Sequence, residues 1–183
     1  MIGDSLSAGF NLEPGQGWVD LLQERLAAKG YGYRVVNASI TGDTTTSGLG
    51  RLPRALTLHQ PAIVLIELGG NDGLRATPIA VIRRNLVEMI RLTRAAGARV
   101  ILAGMQMPPN YGQRYTSEFA ALFAELAREQ KVPLIGFILD GVALDRRLMQ
   151  ADGIHPTAAA QPKLLDNAWP ALERELQALA AAR

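Results

Sequence analysis

The chain contains no cysteine among its 183 residues, which excludes a thiol nucleophile, a disulfide framework and every thiolate metal site. The same lack suits oxidising and reducing surroundings equally and so identifies no compartment. Histidine is nearly as scarce: only His59 and His155 occur. Any chemistry that needs an imidazole near neutral pH therefore has two candidates. No apolar run approaches the ~20 residues that cross a bilayer as a helix, and no secretory signal pattern is legible in the chain as it stands. Lys and Arg are scattered along the chain and the formal charge of +2 is small, so neither nucleic acid nor an anionic membrane is an expected partner. Repeats, linkers and low-complexity tracts are missing too. The bulk of the sequence is core-forming material, 48% hydrophobic with 20% charged residues. A chain of this size buries roughly 70% of the surface its unfolded form exposes, which favours one domain spanning residues 1–183.

Apolar periodicity alternates between helical and strand-like. In "QGWVDLLQERLAAKG" the residues Trp18, Leu21, Leu22 and Leu26 recur at helical spacing, with Gly30 suited to the turn that ends the helix. "YRVVNAS" reads as a short strand, "TTTSGLGRLPRALTLH" as a loop leading into a helix that ends near His59, and "AIVLIEL" as a strand buried on both faces. The segment "PIAVIRRNLVEMIRLTRAAG" puts Ile82, Leu86, Met89 and Ile90 on one side, its arginines mostly on the solvated one. A strand over "RVILAGM", a helix over "SEFAALFAELAREQ", a strand over "VPLIGFI" and a closing helix near "KLLDNAWPALERELQAL" complete the series, the last bent or interrupted at Pro170. Such alternation predicts an α/β fold with a parallel sheet covered on both faces, whose ligands collect beyond the carboxyl ends of the strands.

Four polar or glycine-containing segments fall at strand ends or helix starts: "GDSLS" near the amino terminus, "SITGDT" at 39–44, "LGGND" at 68–72 and "ADGIHP" at 151–156. Singly each is an ordinary turn. Together they hold the parts of an acyl-transfer site. Ser5 can act as nucleophile, Asp152 and His155 are three apart and can hydrogen-bond within one turn, and Asn71 can donate a side-chain N–H to an oxyanion. Pro156 biases His155 toward an extended backbone that projects its ring from a loop.

These residues also carry a family resemblance. "GDSLSAG", "NASITGDT", "ELGGNDGLR", "PPNYGQRY" and "QADGIHP", in this order and along nearly the whole chain, resemble the SGNH or GDSL hydrolase superfamily, and within it the bacterial group of multifunctional thioesterases, arylesterases and lysophospholipases. The resemblance implies a flavodoxin-like three-layer α/β/α sandwich whose central parallel sheet has about five strands. It implies a Ser5, His155, Asp152 triad, an oxyanion hole made by Ser5 itself, Gly42 and Asn71, and no cofactor or metal. Family members carry a full apolar strand before the nucleophile turn, whereas only Met1 and Ile2 precede it here. The first strand is accordingly expected to be cut short, and the natural product to start upstream, with an export signal and a periplasmic or secreted destination.

The expected activity is hydrolysis of small-molecule acyl esters and thioesters, among them aryl esters, acyl-CoA and lysophospholipids. Met107, Pro108, Pro109 and Tyr111 of the "MQMPPNYGQRY" loop are candidates for the acyl-binding wall, since they offer adaptable apolar surface. Three other readings compete: a carbohydrate O-deacetylase of the same superfamily, a non-catalytic acyl-group or lipid binding protein, and a flavin carrier using "SITGDTTTSG" as a phosphate loop. The last leaves "GGND" and "DGIHP" unexplained.

Overall fold

The computed structural model describes residues 1–181 and, at Pro109, the backbone alone. The sequence "IVLIE" forms a strand because its β-branched and leucine side chains can be buried on both faces of a sheet. This strand, β2 (Ile63–Glu67), pairs in parallel on one side with β1 (Ile2–Gly3) and on the other with β3 (Arg99–Gly104), which in turn pairs with β4 (Leu134–Phe137). All four strands run the same way, so every connection crosses over through helix.

The helices are α1 (Ser5–Ala8), α2 (Trp18–Ala28), α3 (Thr45–His59), α4 (Gly70–Leu74), α5 (Ile79–Ala95), α6 (Gln113–Gln130) and α7 (Gln161–Ala181). Packing contacts link α3 to α5 and α5 to α6, and separately α2 to α7, giving a helical layer on each face of the sheet. Their buried residues follow the helical period: Ile82, Leu86, Met89 and Ile90 on α5, Phe119, Leu122, Phe123 and Leu126 on α6. Each side chain of this size contributes about 1.5–3 kcal/mol when fully buried. Among the described residues, no helix is long and apolar enough to cross a membrane.

One expectation is corrected. Among the described residues the sheet has four strands where about five were expected, and the one not formed is the segment 33–39. This segment runs extended beside β1, with Met1 donating to Val36 O at 2.8 Å, Ala38 N–H to Met1 O at 3.0 Å and Ile40 N–H to Gly3 O at 3.0 Å. It forms no regular ladder, and the Arg51 guanidinium takes the Ala38 carbonyl that would extend one, donating also to Gly3 O at 3.2 Å. Counting it as an edge gives the flavodoxin-like order, with the chain reversing direction across the sheet between β1 and β2. At Pro170, where a bend or an interruption was expected, α7 runs on without interruption. Both Pro170 and Asp166, whose carbonyl loses its partner, are exposed, so water can satisfy that oxygen.

Candidate active site

Ser5 follows β1 directly, at the reversal point of the sheet. Asp4 starts the helix: its backbone is non-helical (φ −106°, ψ −146°) and its Oδ1 accepts the Leu6 N–H at 3.0 Å. Gly9 ends it in the left-handed conformation at φ +74°, which a side chain would disfavour. A cap and a glycine thus compress "SLSA" into a single turn that holds Ser5 at the head of the sheet.

His155 arrives from a loop closed by an antiparallel bridge between Met149 and Pro156. Asp152 Oδ1 accepts the backbone N–H groups of Ile154 at 2.9 Å and His155 at 3.0 Å, a turn typical of aspartate. Its Oδ2 is thereby aimed at His155 Nδ1, 2.7 Å away, while His155 Nε2 lies 2.8 Å from Ser5 Oγ. With Nδ1–H donated to the carboxylate, Nε2 is left as an acceptor for the serine hydroxyl proton. Against the upward push of partial burial, the N–H bonds from His155 and Ile154 hold the Asp152 carboxyl down at about 2. It stays ionised wherever the imidazole works.

Two further loops meet Ser5. The turn Ile40–Asp43 closes with Asp43 N–H on Ile40 O at 3.1 Å and carries Gly42 at φ +83°, a position that calls for glycine. Asn71, in α4 just beyond β2, donates through Nδ2 to Asp43 O at 2.9 Å and to Asp4 Oδ2 at 3.2 Å. Next to it, Asp72 is buried and accepts both the N–H and the hydroxyl of Thr45 at 2.7 Å. These bonds stitch the Gly42 loop to the Asn71 helix. Thr44 and Ser47 cap α3 reciprocally. The Thr44, Thr45 and Ser47 N–H groups of the candidate phosphate loop are thus engaged within the protein.

Sequence reasoning missed Glu67. It ends β2, is fully buried, and its Oε2 accepts the Ser7 hydroxyl at 2.5 Å and the Asp4 N–H at 3.3 Å, directly beneath the nucleophile turn. The available signal was a lone carboxylate in the otherwise apolar "AIVLIEL". Burial and the neighbouring Asp4 charge push the Glu67 carboxyl well above its usual range. Burial also raises Asp4, from 3.8 to about 6, against the Leu6 N–H, His155 and Asn71, which favour its charged form. The folded protein thus holds the Asp4 proton more tightly than the unfolded chain. Wild type should lose stability relative to Asp4→Asn as pH rises from 3.8 to about 6. Thermal unfolding of both proteins at pH 3.5, 5 and 7.5 checks this, and parallel curves throughout would contradict it.

A cleft of about 930 Å³ opens beside Ser5, Asn71 and His155. It is lined by Leu74, Met105, Met107, Pro108 and Phe137 and, unforeseen from sequence, by the turn-rich segment 139–149 through Leu139, Ala143 and Leu144, with Ile154. Leu144 is fully exposed at the lip. Of the four loop residues singled out, Met107 and Pro108 line the cleft. Tyr111 does not, its hydroxyl donating instead to Leu74 O at 3.4 Å, and the Pro109 side chain lies outside the described residues.

Residues 1–161 match the GDSL-like lipase/acylhydrolase family. The chain is 54% identical to esterase TesA of Pseudomonas aeruginosa over 173 residues, which is 94% of this chain and 86% of that protein. It is 44% identical to thioesterase 1/protease 1/lysophospholipase L1 of Escherichia coli K12 over 179 residues, 98% of this chain and 83% of that protein. Its fold superposes on the psychrotrophic esterase EstA from Pseudoalteromonas sp., solved with monoethylphosphonate as inhibitor, with a TM-score of 0.91 at 37% identity over 96% of each chain.

Proposed function

As the chain belongs to the GDSL-like lipase/acylhydrolase family and is an ester-hydrolysing enzyme, we propose that it cleaves carboxylic esters and acyl thioesters through Ser5, His155 and Asp152, with an acyl-enzyme intermediate. The observation that carries this reading is the hydrogen-bonded series Ser5 Oγ, His155 Nε2, His155 Nδ1, Asp152 Oδ2, with links of 2.8 and 2.7 Å at rest.

As Ser5 Oγ attacks the substrate carbonyl carbon, its proton passes to His155 Nε2 and the imidazolium is held by the Asp152 carboxylate. The carbonyl oxygen becomes an oxyanion, met by the Ser5 and Gly42 N–H groups and by Asn71 Nδ2. The tetrahedral centre collapses, the bond to the leaving alkoxide or thiolate breaks, and His155 returns the proton to it. Water then attacks the acyl-serine with His155 again as base, releasing the acid and restoring the Ser5 hydroxyl. No step calls for a cofactor.

The apolar cleft walls support an acyl chain as the recognised group, and the names of the relatives above support esters, thioesters and lysophospholipids as leaving-group classes. Inhibition of EstA by a phosphonate fits attack by an activated serine. A periplasmic or extracellular location, expected from the family resemblance, forms part of the same proposal. A panel of p-nitrophenyl esters of rising chain length, an acyl-CoA, a lysophosphatidylcholine and an acetylated oligosaccharide tests the substrate class. Turnover of the aryl esters and acyl-CoA is the expected result. Deacetylation of the oligosaccharide alone would contradict it.

A further inference from the structure

Gln150 lies in the "QADGIHP" segment but outside the triad and the oxyanion donors. Its side-chain Nε2 is 2.9 Å from Phe10 O and 3.0 Å from Pro156 O. Both partners are carbonyl oxygens, so only the NH2 end of the amide can face them, and both of its hydrogens are engaged. The Gln150 backbone N–H donates to His155 O at 2.7 Å, and Gln150 O accepts the Gly153 N–H at 2.9 Å. One residue therefore braces the base loop from three sides and fastens it to the segment that follows the nucleophile helix.

That segment leads back to the serine. Phe10 N–H donates to Ser5 O at 3.2 Å, and the Phe10 ring lies against the His155 ring, centroids 4.4 Å apart and tilted by 39°. The contacts close a circuit. Ser5 O is held by Phe10 N–H, Phe10 O by the Gln150 amide, His155 O by Gln150 N–H, and His155 Nε2 returns to Ser5 Oγ. The circuit matters because, among the described residues, the hydrogen bonds that join the base loop to the nucleophile segment are the catalytic one and the Gln150 amide to Phe10 O, and the loop's aspartate is exposed. If the bond that is broken and remade in each turnover were the sole hydrogen bond between the two segments, the imidazole could wander between steps.

We propose that Gln150 is a positioning residue that sets the Ser5 to His155 distance by clipping the base loop onto Phe10. The proposal rests on the triad reading above and goes beyond it, because it assigns the geometry of the base to a residue that touches neither substrate nor reacting atoms.

The test uses Gln150→Met, which keeps the length and apolar body of the side chain but removes both donors, and measures p-nitrophenyl ester hydrolysis and thermal unfolding of the whole chain. Misplacing a catalytic group by about 1 Å costs up to about 100-fold, so kcat should fall by about 10- to 100-fold with KM changed less than about threefold. In a His155→Ala background the same substitution should alter the residual rate by less than about twofold, since there is no base left to position. A residue needed only for folding would lower both backgrounds alike. Wild-type kcat in a folded Gln150→Met, or an equal loss in the two backgrounds, would overturn the proposal alone. Full activity of His155→Ala would overturn the triad reading and this proposal with it.

Discussion

Replacing His155 by alanine is expected to lower kcat for an aryl ester by on the order of 10⁴-fold while leaving the fold intact. The size follows from the chemistry. A neutral serine hydroxyl is a weak nucleophile, and the attack that the imidazole assists would have to proceed with the proton lost to water instead. No other group can take over. His59, the other histidine, ends α3 and lines a small apolar groove beside the start of β2, at the opposite end of the strand from Asn71. Asp4 is near the serine, but its carboxylate is occupied by Leu6 N–H and Asn71. The His155 ring is largely buried against Phe10, and its removal leaves the backbone ties of the loop through Gln150 and Thr157 in place. Steady-state kinetics with circular dichroism as the folding control measures the effect. A folded variant retaining more than about a tenth of wild-type kcat would contradict the assignment of His155 as base.

The second large effect belongs to Asn71. At rest its two amide hydrogens go to Asp43 O at 2.9 Å and, by a longer bond, to Asp4 Oδ2 at 3.2 Å. The longer one is the cheaper to surrender when an oxyanion forms, and the bond to the oxyanion that replaces it is charge-assisted. Asn71→Ala should therefore lower kcat by about 10²- to 10³-fold, or roughly 2.7–4 kcal/mol of transition-state stabilisation, with little change in KM. An effect confined to KM would instead make Asn71 a binding residue for the ground-state substrate. The loop tie through Asp72 and Thr45 is independent of the Asn71 side chain, so the fold should survive the change.

Helices and interior strands were legible because their apolar residues keep the helical period or run continuously over a strand. The loops that carry Ser5, Gly42, Asn71 and the Asp152–His155 pair could be picked out because glycine, asparagine and aspartate collect at strand ends for turn-forming reasons as well as chemical ones. What stayed hidden depends on long-range contacts. The segment 33–39 has a strand composition, but the Ala38 carbonyl that would extend its pairing with β1 is taken by Arg51 of α3. The cleft-lining segment 139–149 has no regular period; Leu139, Ala143, Leu144 and Met149 reach the cleft through successive turns while Val142 is buried in the core. Glu67 and Gln150 look incidental in sequence because what defines them is a partner 60 or 140 positions away.

The most direct test of the account is covalent. Wild type, Ser5→Ala and His155→Ala are incubated with a fluorophosphonate, their intact masses recorded, and the modified peptide sequenced. The account predicts one adduct on wild type, located on Ser5, with none on Ser5→Ala and none at matched times on His155→Ala. An adduct on another residue, or an undiminished adduct on folded Ser5→Ala, would show that the hydroxyl at the head of β1 is not the nucleophile.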